Sequence, residues 1–369
     1  MDKKIVYIVK TKLHYYPPCV SQIRMIHDLG YNVEVLYGTS NESAIKLLES
    51  ENISCEKVGN ISDDCNNKIL KLYNFIKFRK ALCKRIKKYD KNNTLFWFGN
   101  AESSMPMIGK LSKVKYVASF LELLDDDMLK VKLLKGIANN AVATTVCEET
   151  RGYIMKYWWN LKNLPFVFPN KPYNLLNEKN NEGSIDKTKK IISQIQGKKI
   201  VLYQGIIQNT EELCEIAKAL KEINKNYIFL LMGIDKYNSV EKIKKIYNNV
   251  IYVDYIPAPY HLEITSNAYI GITFYRNDSL NKVFCAPNKI YEYSGFGIPI
   301  LANDIPGLKN TVGKFKAAEC VKLDRDNIVH AINKIENNYS IYSENAKKFF
   351  ESTNNIEMMK NLLFEINNK

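Results

Sequence analysis

The stretch with the densest chemical content is Ala286–Asp304, APNKIYEYSGFGIPILAND. It reads as a loop through Pro287 and Asn288, a helix carrying Lys289 and Glu292, a glycine-rich turn and a strand. Other stretches with chemical potential read negatively. The loop leaving the first predicted strand, Thr11–Cys19 (TKLHYYPPC), lacks the G-x-G-x-x-G of a nicotinamide-type site. No P-loop and no G-x-S-x-G nucleophile elbow occurs. The run Asp125–Asp127 admits a metal, but no histidine or second acidic cluster stands close by. An acidic turn at a helix N-terminus is the competing reading. Eight cysteines, at 19, 55, 65, 83, 147, 214, 285 and 320, form no C-x-x-C pair, and the four histidines are scattered. That pattern fits reduced cytosolic thiols better than zinc or a disulfide framework.

The elements that must position these residues alternate. Apolar, β-branched runs at Lys4–Lys10, Asn32–Tyr37, Thr94–Phe98, Lys115–Phe120, Ala141–Val146 and Phe166–Phe168 predict strands separated by helices. Residues 174–196 are polar and weakly patterned, which predicts a linker. The alternation then restarts with strands at Lys199–Tyr203, Tyr227–Met232, Val250–Val253, Ala268–Thr273 and Pro299–Ala302, and closes on helices near 326–338 and 341–367. Two successive α/β halves with parallel sheets are expected, with ligands bound at the carboxyl ends of the strands, in a cleft between the halves. A chain of 369 residues is long enough to build both cores.

Within 286–304 the residues Pro287, Asn288, Lys289, Ile290, Tyr291, Glu292, Tyr293, Gly297, Pro299, Ile300 and Ala302 match, at the right spacing, a pattern P-N-K-[LI]-[FY]-E-Y-x-x-x-G-x-P-[VI]-[IL]-A. This resembles the C-terminal motif of GT-B glycosyltransferases, in particular the retaining, family 4-like enzymes of bacterial capsule and O-antigen synthesis. Residues 201–220, 229–235 and 250–275 resemble further pieces of that family's donor domain, in order, and FPNKP at 168–172 resembles the end of its acceptor domain. The resemblance implies two Rossmann-like domains facing across a cleft. The acceptor domain would span 1–173 with about 350–369, the linker 174–196, and the donor domain 197–349. The C-terminal helix would return to the first domain.

It also implies a donor site. Glu292 would accept hydrogen bonds from the ribose hydroxyls, while Asn288, Lys289 and the helix N-terminus would face the diphosphate. Gly205 would let the loop backbone approach the phosphates. Gln208, Asn209, Gly233, Ile256, Cys285, Ala286 and Pro287 would complete the site. Transfer would need no metal, since a cation and backbone N–H groups can stabilise the leaving diphosphate. The sequence departs from the family at two points. The first of its paired glutamates would fall at Phe284, and Ile206 stands where the glycine loop usually carries arginine. That leaves Lys289 as the principal phosphate cation, with Arg276 or Lys282 as helpers.

On the acceptor side, VASFLELLDDD (117–127) resembles a strand that ends in His-Glu in relatives; Leu121 takes the histidine position and Glu122 remains. Glu122, then Asp125, are the candidate carboxylates, set against a helix-capping reading. Lys289 is the third catalytic candidate. His14, Tyr15, Asn100 and Glu102 stand at strand ends as candidate acceptor contacts.

The charge is uneven. The net charge is +14, and residues 1–172 hold 27 Lys/Arg against 17 Asp/Glu. Segment 68–91 alone carries ten basic residues and one acid. It reads as a helix with one apolar row of Ile69, Leu72, Ile76 and Cys83, suited to a core. A second row of Phe75, Phe78, Leu82 and Tyr89 is suited either to lipid headgroups or to a broad-faced core. The N-terminus is too polar for a signal peptide, and no window approaches 18 apolar residues. The expectation is a cytoplasmic glycosyltransferase, peripherally bound to the inner face of the cell membrane through 68–91. It would act on a nucleotide sugar and a lipid-linked or polysaccharide acceptor. A nucleotide-sugar 2-epimerase of the same fold and a non-catalytic GT-B-like scaffold are the alternatives. Nucleic-acid binding is not expected, for it would rest on charge alone.

Overall fold

A computed structural model describes residues 4–62, 67–175 and 178–368, so Cys65 and two positions of the expected linker lie outside the described residues. The chain divides into two compact units. The first comprises Met1–Tyr173, Ser279–Asn281 and Asn354–Lys369, and the second Asn174–Asp278 and Lys282–Thr353.

In the first unit the strands are β1 (Lys4–Val9), β2 (Asn32–Tyr37), β3 (Ser54–Lys57), β4 (Thr94–Phe98), β5 (Tyr116–Phe120), β6 (Ala143–Val146) and β7 (Phe166–Val167). They form one parallel sheet in the order β3-β2-β1-β4-β5-β6-β7. The order reverses between β1 and β4, where Ile8 lies opposite Phe98. Ligands of open α/β sheets bind outside such a switch point. One face is covered by the helices Lys68–Ile86, Met128–Asn140 and Glu149–Trp159, the other by Pro17–Asp28, Glu42–Ser50 and the C-terminal helix Asn355–Asn367.

The helix Lys68–Ile86 sits the other way round from the sequence expectation. Phe78, Leu82 and Ile86, spaced four apart, are its buried stripe, and Tyr89 just beyond it donates to Glu34 Oε1 at 2.7 Å. Ile69, Leu72 and Ile76, expected in the core, are 78%, 59% and 42% exposed. The reason is electrostatic as well as steric. The buried carboxylate of Glu34 on β2 needs partners, and Arg85, Tyr89 and Lys4 supply them at 2.6–2.7 Å. Those bonds fix the helix rotation.

The second unit holds β8 (Ile200–Gln204), β9 (Ile228–Met232), β10 (Val250–Val253), β11 (Ile270–Thr273), β12 (Ile300–Asn303) and β13 (Ala318–Val321), parallel in the order β10-β9-β8-β11-β12-β13. The switch point is between β8 and β11. Residues 174–196, expected as a linker, contain the helix Asp186–Ile195, which buries Thr188, Ile192 and Ile195. Three apolar or small positions on one face suffice to dock it, although the segment is otherwise polar. The long C-terminal helix expected over 341–367 is broken at 352–354. There the Asn354 side chain accepts from Glu357 N and starts the last helix afresh.

Candidate functional site

The helix Asn288–Gly295 is seated on the second sheet by Tyr293. Its ring lies against Gly271 of β11, where any Cβ would overlap it, and its hydroxyl reaches the carbonyls of Leu202 and Ile272 at 3.3 Å. This seat turns Glu292 into the protein at the end of β8. Glu292 is 6% exposed. Its Oε2 accepts from Gln204 Nε2, and its Oε1 lies 3.5 Å from His261 Nε2. Gln204 Oε1 in turn accepts from Thr265 Oγ1 at 2.7 Å. A buried carboxylate is tolerable only with such partners.

Lys289, in the first turn of the same helix, lies with its ammonium 4.8 Å from the Tyr203 ring centre and 5.7 Å from that of Tyr275. Burial there pushes it down to about 8, against the opposing pull of Glu292 and Cys285. Its Nζ is also the atom nearest to the open side of Gly205. Pro287 precedes the helix and offers no side-chain cap to its first N–H groups.

The two glycine turns divide their labour. Gly205 has φ +125° and nothing but Lys289 Nζ near its missing side chain. Gly233, φ +140°, packs directly on the Gly205 carbonyl, so it supports the first turn. Cys285 and Ala286 are buried, and Gly307 packs against the Cys285 backbone. Ile256 is buried just after β10. Gln208 is exposed, and Asn209 precedes the helix Thr210–Ile223 without capping it through its side chain. The two proposed helper cations are already paired, Arg276 with Glu212 at 3.1 Å and Lys282 with Asp278 at 2.7 Å.

In the first unit, the loops leaving β1, β4 and β5 bring Glu102 and Glu122 to adjacent strand ends. Glu102 accepts from Thr11 Oγ1 at 2.8 Å. The Glu122 side chain is exposed as a whole, yet desolvation raises its carboxyl, with Glu102 and Asp126 adding and Arg151 opposing. Tyr15 is 51% exposed and lies under the Lys12 ammonium.

Three acceptor-side candidates carry bonds within the chain. His14 Nδ1 accepts the Asn41 N–H at 2.9 Å, tying two loops together. Asn100 is buried and caps the turn Ala101–Ser104, accepting from Ser103 N and Oγ at 2.9 and 2.6 Å. Asp125 accepts the N–H groups of Leu280 and Asn281 at 2.6 and 3.0 Å, which makes it a backbone cap. Asp127 caps the helix Met128–Asn140. Among the described residues no three His, Cys, Asp or Glu side chains gather as a metal site.

No protein-family model matches the chain, and no curated protein sequence does. Solved structures do match it. Anabaena HepE, crystallised with UDP and glucose, aligns over 99% of both chains with a TM-score of 0.73 at 12% identity. Sucrose-phosphate synthase from Thermosynechococcus elongatus aligns over 99% of this chain and 98% of its own, TM-score 0.71, at 15% identity. A Rickettsia africae glycosyltransferase aligns over 99% and 98%, TM-score 0.66, at 14% identity. The chain has the GT-B fold.

Sequence reasoning missed three polar residues gathered around Glu292: Gln204 and Thr265, both buried, and the partly buried His261. One signal was available. Gln204 is the polar end of an otherwise apolar strand, IVLYQ, immediately before the glycine turn. His261 and Thr265 come from a helix more than 50 residues further on, so only the fold brings them in.

Proposed function

We propose that this protein is a nucleotide-sugar-dependent glycosyltransferase, with the second unit holding the donor and the first the acceptor. The observation that carries the reading is the buried Glu292 one helical turn from Lys289, whose ammonium lies against the Gly205 turn at the end of β8. A carboxylate takes ribose hydroxyls, and a cation with uncapped helix N–H groups takes a diphosphate. The similarity to HepE, crystallised with UDP and glucose, makes a uridine nucleotide the first donor to try.

As the bond from the anomeric carbon to the diphosphate oxygen breaks, negative charge gathers on that oxygen. Lys289 and the N–H groups at the start of the Asn288–Gly295 helix stabilise it, a leaving-group role that needs no metal; retention of configuration is what the resemblance to the retaining enzymes implies. Glu122 orients the acceptor hydroxyl. The acceptor is lipid-linked or a growing surface polysaccharide. The helix Lys68–Ile86 favours this, since Ile69, Leu72, Tyr73 and Ile76 lie exposed among its lysines. No described helix is long and apolar enough to cross a membrane, so docking would be peripheral.

The test is release of nucleoside diphosphate by the purified full chain from a panel of UDP-, GDP- and ADP-sugars, with and without EDTA. Slow release from one donor, unaffected by EDTA, is expected. No release from any donor, even with glycolipid acceptors added, would contradict the enzyme reading. Activity lost to EDTA and restored by manganese would contradict metal independence.

A further inference from the structure

The Glu292 carboxylate is not symmetric in its surroundings. Oε2 is held by Gln204 Nε2, between two side chains that are 6% and 5% exposed. Behind Gln204 stands Thr265, fully buried, whose hydroxyl meets Gln204 Oε1 at 2.7 Å and the His261 carbonyl at 3.0 Å. Oε1, by contrast, has His261 Nε2 at 3.5 Å, the outer limit of a hydrogen bond.

A primary amide has one accepting and one donating end, whereas a carboxylate only accepts. Were the Gln204 amide reversed, its oxygen would face Glu292 Oε2 with no proton between them, at full desolvation cost. Of its two acceptors the Thr265 hydroxyl has the amide oxygen nearer, and donating its one proton there it holds the orientation that aims the amide N–H at Glu292. The chain Thr265–Gln204–Glu292 thus satisfies one oxygen and fixes the plane of the carboxylate. It leaves the other oxygen with spare accepting capacity. Gln204 is also joined directly to Gly205, so the same residue couples the ribose carboxylate to the turn beside Lys289.

We propose that Gln204 and Thr265 are positioning residues for the donor, locking Oε2 of Glu292 so that Oε1 is the oxygen that reads the ribose hydroxyl. This rests on the donor-site reading above. Neither residue touches the sugar being transferred, so their signature is selectivity between ribose and deoxyribose.

The experiment is calorimetric titration of the full chain with UDP, ADP and GDP, each beside its 2′-deoxy and 3′-deoxy form. The wild type should prefer the best ribonucleotide to one of its deoxy forms by about 10- to 100-fold, the worth of a hydrogen bond to a charged group. Gln204→Met and Thr265→Val, both close in shape, should cut that ratio to about threefold or less, with the deoxy form bound nearly as well as by wild type. Thr265→Ser, which keeps the hydroxyl, should retain the preference. The unchanged deoxy affinity reports that the variants fold. Equal weakening of ribo and deoxy forms would show a merely structural role and overturn the proposal, as would a wild type indifferent to the ribose hydroxyls. A wild type that binds none of the three nucleotides would instead overturn the donor-site reading itself.

Discussion

At the carboxyl end of the second sheet, Gln204, Thr265 and Glu292 are buried and bonded to one another. At the carboxyl end of the first sheet, Glu102, Glu122 and Tyr15 stand exposed, and the buried Asn100 caps a turn through its Oδ1. The same architecture therefore carries a buried, mutually bonded polar cluster in one unit and an exposed one in the other. Preorganisation suits a ligand that is always the same, such as a nucleoside diphosphate, because the cost of ordering is met in folding. An open rim of carboxylates and aromatics suits a larger partner that brings its own shape.

The largest effect is expected on the open side. Lys71, Lys80 and Lys84 are exposed on the helix that also exposes Ile69, Leu72 and Ile76. Each lysine near an anionic surface contributes about 1 kcal/mol, so reversing all three to Glu should remove at least about 3 kcal/mol of docking. In flotation at low salt, wild type should rise with phosphatidylglycerol vesicles and stay down with phosphatidylcholine, and the triple variant should stay down with both. Arg85 must be left intact, because it pairs with the buried Glu34. Equal flotation with neutral vesicles would break the assignment of this unit to a membrane-borne acceptor.

On the buried side, Lys289→Met should weaken nucleoside diphosphate binding by about 10- to 100-fold. Wild-type binding should weaken as pH rises through about 8, where Lys289 loses its proton, and the variant should show no such step. The smallest effect is on stability. The Lys289 ammonium is lowered in the folded chain from 10.5 to about 8, so the unfolded chain binds more protons across that window. Stability therefore rises with pH from about 8 to 10.5 and is lowest, for this group, below it. Lys289→Met should accordingly raise Tm at pH 7, and the advantage should fade above pH 8. A variant that loses Tm at pH 7 would show that the lysine is structural, blurring the contrast between the units.

Much of this was legible in the chain. The apolar runs gave eleven strands to within a residue or two because parallel strands are buried on both faces, and the spacing of Pro287, Lys289, Glu292 and Gly297 announced a loop, helix and turn; the edge strands β3 and β13, SCEK and AECV, carry no such run and were not foreseen. What stayed hidden depended on partners distant in sequence. The rotation of Lys68–Ile86 was ambiguous because both of its rows are apolar; Glu34, 51 residues from Arg85, decides it. Asp125 read as an acid at a strand end, and only the fold shows that it also accepts the N–H groups of Leu280 and Asn281. Gln204 and Thr265, 61 residues apart, become a relay only when β8 and the helix His261–Thr265 lie together.

The central claim is that Glu292 holds the donor ribose. Titration calorimetry of UDP, ADP and GDP into wild type and Glu292→Gln tests it most directly. The account predicts that wild type binds at least one of them and that the variant binds it about 1.5–3 kcal/mol more weakly. Identical affinities in the two proteins would remove Glu292 from the site and contradict the account.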